Sequence, residues 1–265
     1  MTVDITCDPE YESRLSAAGL LGFDSLFTRR DLQVVKAKLA QRQTLSTSLP
    51  DGTTVFIKRY PRLRSRLLSK APTPARREWL ALQFLRNAGA PTMRPLALLE
   101  EREGRLVRRA ALMTLGLNAP HTLEEVANEA MAPARRHALA RDLGRITRRM
   151  HDAGVNHRDY YFVHIRVGAG DKLYITDLNR ADLRRVVPQR WIVKDLAALH
   201  FSAPPGVTSA DRVRFLRAYT GKPLRELRAM IRAILRKAER MESHTRKKVQ
   251  AGEANYHLPG ARDVH

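Results

Sequence analysis

Four side chains in this 265-residue chain have the types and spacing for chemistry on a phosphorylated ligand: Lys58 in "VFIKRY", Glu78 in "ARREWLALQFLRNAG", Asp159 in "NHRD" and Asp177 in "YITDLN". A lysine fixed on a strand can hold phosphate oxygens, and a glutamate on a neighbouring helix can keep it aimed. Two carboxylates far apart in sequence can divide the remaining work. Asp177 can bind a divalent cation through oxygen, and Asp159 can accept or orient the proton of an attacking hydroxyl. Each residue alone is a weak signal. A strand lysine usually carries its ammonium out to water, and "HRD" is a short string in an arginine-rich chain. Their order and context are what count.

Those contexts follow from local pattern. "DLQVVKAKLA", "TLSTSLP" and "TTVFIKRY" read as three consecutive antiparallel strands, the last two joined at Asp51-Gly52, a strong hairpin signal. Lys58 lies inside the third. A basic, proline-bounded linker, "PRLRSRLLSKAPTP", leads to a helix with Trp79, Leu82 and Leu85 at helical spacing and Gly89 as its stop. Glu78 lies near the start of this helix. "PLALLE" and "RLVRRAALMTL" predict two further strands, and "GLNAPHTLEEV" a connector running into a helix. From Pro133, apolar Leu139, Leu143, Ile146 and Met150 mark a long helix, with Gly154 at its left-handed cap. "NHRD" follows directly. "YFVHIRV" and "KLYITDL" predict a short hairpin around "GAGD", so His164 is expected within a strand. Helices fill the rest. The order is strand-rich first and helical second, which implies two lobes with a cleft between them: an N-terminal extension over 1–30, an N-lobe over 31–116, a C-lobe over 117–245 and a basic tail over 246–265.

Composition sets the background. The 43% hydrophobic content is that of a globular chain. No apolar run approaches the ~20 residues of a membrane-spanning helix, and "LSAAGLLGF" lacks the basic leader of a secretory signal. The single cysteine, Cys7, excludes an internal disulfide and a cysteine-based zinc site. A cytoplasmic protein is expected. Lys plus Arg number 48 against 27 Asp plus Glu, a net charge of +21. Such an excess attracts nucleic acid, an anionic membrane face or an acidic protein partner. No RNA- or DNA-binding motif stands in the chain, which argues against nucleic acid.

The order strand Lys, helix Glu, "HRD", strand-end Asp is that of the protein-kinase fold, and phosphoryl transfer explains the need for each piece. Two features depart from it. His164 stands where H-R-D-x-x-x-x-N calls for Asn, although Mg²⁺ prefers oxygen. The ring could bind metal, act through water or hydrogen-bond to Asp159. The glycine-rich loop is absent; "QRQ" stands in its place, where Arg42 could contact phosphate without the usual cradle of backbone amides.

"MHDAGVNHRDYYFVHI", "YITDLNRA" and "RWIVKDLAALHFSA" resemble the lipopolysaccharide core heptose kinases of Gram-negative bacteria, within a wider group that includes Kdo kinases. The resemblance runs from about Lys36 to Tyr219 and is densest between Met150 and Ser202. It implies an α+β, bilobal, protein-kinase-like fold with an antiparallel sheet in the N-lobe and a mainly helical C-lobe. It also implies ATP and Mg²⁺ as cofactors, and a hydroxyl of inner-core heptose as acceptor on the cytoplasmic side of the inner membrane. By that resemblance Asp159 is the catalytic aspartate, Lys58 the nucleotide lysine and Asp177 the metal aspartate. His164 is shared with the family, and Asp195 braces the catalytic loop. His157 and Arg158 read as scaffold.

The acceptor side is less specified. Only 17 residues separate Asp177 from Asp195, which leaves little room for a peptide-docking platform. Arg180, Arg184, Arg185 and Arg190 in and beside that segment can pair with the anionic groups of a sugar, or simply form a solvated basic face. Near the end, Arg225, Arg228, Arg232, Arg236 and Arg240 recur every three or four residues opposite a stripe of Leu224, Leu227, Ile231, Ile234 and Leu235. This amphipathic helix could pack on the C-lobe or meet anionic lipid. The competing functions are a Kdo, other small-molecule or protein kinase, and a non-catalytic basic scaffold of kinase-like fold.

Overall fold

The structure, a computed structural model, describes residues 1–38, 42–63 and 72–251, with backbone alone for 36–38. The start of the "QRQ" turn, the middle of the basic linker and the tail from 252 lie outside the described residues. The chain forms two compact units, Met1–Gln83 with Met93–Leu117, and Phe84–Thr92 with the residues from Asn118 onward.

The first unit is built on a six-stranded antiparallel sheet in the order β1-β5-β6-β4-β3-β2. Its strands are β1 (Thr2–Cys7), β2 (Gln33–Lys38), β3 (Arg42–Ser48), β4 (Thr54–Tyr60), β5 (Pro95–Glu103) and β6 (Leu106–Leu115). Gly52 closes the β3–β4 hairpin with φ +81°, a conformation that glycine adopts without a Cβ penalty. Strand pleating decides which side chain faces where. Val55 and Ile57 of β4 are fully buried in the core that packs Leu15 of helix α1 (Glu12–Ala17), Leu20 of the segment after it and Leu26 of helix α2 (Phe23–Thr28) against the sheet. Lys58, adjacent to Ile57, therefore points to the other face. Helix α3 (Pro74–Asn87) buries Trp79, Leu82 and Leu85 and ends at Gly89, φ +66°.

The second unit is mainly helical. It contains β7 (His121–Thr122), α4 (Leu123–Asn128), α5 (Pro133–Asp152), β8 (Val155–Asn156), β9 (Ile165–Val167), β10 (Leu173–Ile175), β11 (Asp182–Leu183), α6 (Gln189–Phe201), α7 (Ser209–Thr220) and α8 (Arg228–Gln250). Helix α4 opens with a reciprocal capping box between Thr122 and Glu125. Helices α5 and α7 approach closely at Gly144, where a Cβ would stand 2.5 Å from the Phe215 carbonyl oxygen. Helices α6 and α8 share a core of Leu196, Ala197, Leu227, Ile234 and Ala238.

Two sequence expectations need correction. His164 does not interrupt a strand: Phe162–His164 form a 3-10 turn, closed by the His164 N–H donating to the Tyr161 carbonyl at 2.9 Å, and β9 begins one residue later. The C-terminal amphipathic helix begins later than expected, at Arg228, and its apolar stripe is unevenly covered. Leu224 lies in a 3-10 turn before α8 and is 44% exposed, and Leu235 is 40% exposed, because α6 covers only the side carrying Leu227 and Ile234. Among the described residues, no helix is long and apolar enough to cross a membrane.

Candidate active site

In the sheet unit the Lys58 ammonium donates to Glu78 Oε1 at 2.6 Å. Glu78 is fully buried and the Lys58 side chain is 13% exposed. A buried ion pair of this closeness is costly to desolvate and is a poor stability device in itself, but it holds the lysine in one direction. Tyr60 is buried beside the pair. Burial, with the Glu78 charge adding, pushes its hydroxyl up to about 12, while Lys58 and Arg42 oppose the shift. Arg42, the first residue of β3, thus lies in the same charged group as Lys58 and Glu78.

In the helical unit, Asp195 on α6 organises the "NHRD" turn. Its Oδ2 accepts from the His157 N–H at 2.8 Å and from Asn156 Nδ2 at 2.9 Å, and its Oδ1 accepts from the Arg158 N–H at 2.8 Å. His151 on α5 adds Nε2 at 3.3 Å and engages the Tyr219 hydroxyl through Nδ1 at 2.9 Å. Burial works to raise the Asp195 pKa, but the hydrogen bonds and the positive potential of the neighbouring imidazoles outweigh it and hold the carboxyl below its ordinary value. With two consecutive N–H groups tied to one carboxylate, Arg158 adopts a left-handed φ of +72°. That conformation costs a non-glycine residue roughly 1–3 kcal/mol. The turn presents Asp159, whose side chain is 20% exposed.

The Asp159 backbone and the Asp177 side chain are linked through His164. His164 Nδ1 lies 2.7 Å from the Asp159 carbonyl oxygen, so Nδ1 carries the proton and donates. Nε2 of the same ring faces Asp177 Oδ2 at 3.5 Å, and with the ring neutral this nitrogen and the carboxylate would form a donor pair for a divalent ion completed by water or phosphate oxygens. His157 stacks on His164 with ring centroids 5.9 Å apart and donates through Nε2 to the Thr176 carbonyl at 2.9 Å. Burial, with His164 adding, lowers the His157 pKa. Asp177 itself has φ +59° and accepts from the Asn179 amide.

The arginines of the following segment divide. Arg180 contacts Asp159, with Nη1 3.0 Å from Oδ2 and 3.1 Å from Oδ1. Arg184 and Arg158 both reach Asp182 Oδ2 at 3.5 Å. Arg190 lies over the Trp191 ring, and Arg185 is exposed. Sequence reasoning did not single out Asp182, Asn179, His151, Tyr219, Trp191 or Lys194. Asn179 stands in the quoted "DLNRA", and His151, Asp195 and Tyr219 on three separate helices gave no signal, because their meeting is tertiary.

Residues 28–219 match the lipopolysaccharide kinase (Kdo/WaaP) family. The chain belongs to that family. The match takes in every candidate residue from Arg42 to Asp195 and stops before α8. The lipopolysaccharide core heptose(I) kinase WaaP of Pseudomonas aeruginosa is 36% identical over 212 residues, 73% of this chain and 79% of that protein. The same kinase of Escherichia coli K12 is 36% identical over 74% and 79%. A 3-deoxy-D-manno-octulosonic acid kinase of Xanthomonas campestris is 35% identical over 47% of this chain and 48% of its own length. A solved structure, WaaP in complex with acyl carrier protein, superposes with a TM-score of 0.72 and 31% identity, covering 91% of this chain and 99% of that one. As a member of this family the protein has an α+β, protein-kinase-like fold and is a phosphotransferase that uses ATP.

Proposed function

We propose that the protein phosphorylates a heptose hydroxyl of the lipopolysaccharide inner core. The observation that carries this reading is the "NHRD" turn clamped by Asp195, in a chain that matches heptose(I) kinases over about three quarters of its length. In this reading Lys58, aimed by Glu78, binds the nucleotide phosphates, and Arg42 adds a second positive charge. Asp177 and His164 hold Mg²⁺. The bound nucleotide and metal supply the transferable phosphoryl group and neutralise its charge. Asp159 would accept the proton of the acceptor hydroxyl as that oxygen bonds to the γ-phosphorus and the bond from that phosphorus to the β–γ bridging oxygen breaks, releasing ADP, a contribution of about 10²–10⁴ in rate. His157, Arg158 and Asp195 keep the Asp159 carboxylate in position.

The acceptor lies on the cytoplasmic face of the inner membrane in this reading. The exposed Arg228, Arg232, Arg236 and Arg240 of α8, with Leu235 among them, suit an anionic leaflet. An acidic carrier protein is a second partner, as for the related structure with acyl carrier protein. Its support here is the net charge of +21 and a concavity of about 600 Å³ bordered by Arg141, Arg145, Arg214, Arg217 and Lys222. An octulosonic acid acceptor is the alternative, supported by the shorter match to the kinases of that sugar. Mass spectrometry of core oligosaccharide from cells with and without the intact gene tests the assignment. Loss of one phosphate from a heptose is expected; loss from the octulosonic acid would favour the alternative, and an unchanged core would contradict both.

A further inference from the structure

Around Asp159 the helical unit gathers more positive charge than its own contacts use. Arg180 holds both Asp159 carboxylate oxygens yet is 55% exposed. Lys194, on α6 immediately before Asp195, lies within electrostatic reach of Arg158, Asp159 and Arg180, and burial together with the two arginines lowers its pKa. Trp191, one turn earlier on the same helix face, carries three cations against one ring: Arg184 at 5.7 Å, Arg190 at 5.4 Å and Lys194 at 5.3 Å. Arg190 and Lys194 also stand at i and i+4, a spacing at which like charges weaken a helix. Asp159 and Asp182 are the acidic partners that these cations contact. The surplus extends to donors. The Trp191 indole N–H and the Nε–H groups of Arg158 and Arg184 are buried with no acceptor among the described residues. A cluster of mutually repelling cations with spare donors is completed by an anion.

We propose that Arg180, Arg184, Trp191 and Lys194 form a subsite for an acidic group, carboxylate or phosphate, on the acceptor saccharide, and that its binding draws Arg180 away from Asp159. This rests on the sugar-kinase reading and adds a requirement to it: the acceptor carries an acid beside the sugar that is phosphorylated. In the free protein the Arg180 Nη1 sits against both Asp159 carboxylate oxygens and competes with the acceptor hydroxyl for them. A second carboxylate or phosphate gives Arg180 another partner, of the kind that planar guanidinium groups recognise. A neutral sugar leaves the Arg180–Asp159 pair closed. The subsite therefore discriminates for acid-bearing acceptors.

The test is calorimetric binding of deacylated core oligosaccharide to the full-length protein in three forms: native, carboxyl-reduced and dephosphorylated. Wild type is expected to lose about 10- to 100-fold in affinity on one of the two treatments, the size of a charge-assisted contact, and the treatment that does so names the acid. Lys194→Gln and Arg180→Gln should bind the native form more weakly by a similar factor and no longer distinguish it from the treated form. Arg180 is exposed, so its variant keeps the test open if Lys194→Gln does not fold. Equal weakening of all three forms in the variants would overturn the proposal, as would wild-type affinity unaffected by either treatment. Wild type that neither binds nor phosphorylates any core form would instead contradict the heptose-kinase reading.

Discussion

Lys58 is the residue on which nucleotide binding depends in this account. Replacing it with Met keeps the stem and removes the ammonium that lies 2.6 Å from Glu78. Nucleotide affinity measured by fluorescence titration is expected to fall about 10- to 100-fold, since a charge-assisted contact to phosphate is lost; unchanged affinity would remove Lys58 from the site. Lys58, Asp159 and Asp177 were readable in the sequence because each sits in a short string whose local structure is also fixed by pattern: an alternating strand, a glycine-terminated helix, a strand end. His164 was only half readable. Its identity stood out, but its position in a 3-10 turn depends on the His164 N–H reaching Tyr161, a local bond that strand-like composition hides. Trp191 and Lys194 were not readable as site residues. They look like ordinary members of α6, and the arginines that gather near them, Arg180 and Arg184, come from a different segment.

At the scale of elements, the turn bearing Asp159 is strapped to the segment after Asp177. Strand β8 pairs with β11, the Arg184 N–H donates to the Gly154 carbonyl at 2.9 Å, and a Cβ on Gly154 would collide with the Arg184 carbonyl. Gly154 also has φ +76°. Gly154→Ala is therefore expected to displace both strands. Its cost should be at least the ~1–3 kcal/mol typical of overpacking, read as a lower denaturant midpoint together with reduced phosphotransfer; a variant with wild-type midpoint and turnover would contradict the strap. Helices α6 and α7 carry a pH-sensitive contact. Arg212 donates to His200 Nδ1 at 2.6 Å, and burial, with the Arg212 charge adding, brings the His200 pKa down to about 4. The unfolded chain takes up this proton near pH 6.5, and the folded one does not until about pH 4. The folded pKa is the lower one, so the contribution is full above pH 6.5 and is lost as pH falls toward 4. Chemical denaturation at pH 7.5, 6 and 5 should show that decline, and His200→Gln should flatten it; equal slopes in both proteins would contradict the assignment. Helices α3 and α5 and the central strands were visible in apolar periodicity, whereas the short helices α1 and α2 were not. Strand β1 was not, because its residues Thr2 to Thr6 are exposed and only pairing with β5 makes them a strand.

For the whole molecule the dominant property is charge. A net +21 with exposed arginines along α8 predicts adsorption to anionic bilayers that salt weakens, because exposed charges are screened over about 10 Å at 0.1 M salt. Sedimentation with vesicles of 30% anionic lipid should pull down the protein at low ionic strength and release much of it at ~0.5 M, where the screening length is shorter still. Glu at Arg232 and Arg236 should reduce binding, and salt-independent adsorption would argue for an apolar mode. Composition made the basic excess plain but not its distribution, since whether an arginine is paired, stacked or free depends on packing. The central claim, that this family member moves phosphate from ATP to core heptose through Asp159, is tested most directly by incubating purified core oligosaccharide with ATP, Mg²⁺ and either wild type or Asp159→Ala, and reading the products by tandem mass spectrometry. Wild type is expected to add one phosphate to a heptose, while the variant binds ATP with wild-type affinity and adds none; phosphorylation at an undiminished rate by Asp159→Ala would contradict the account.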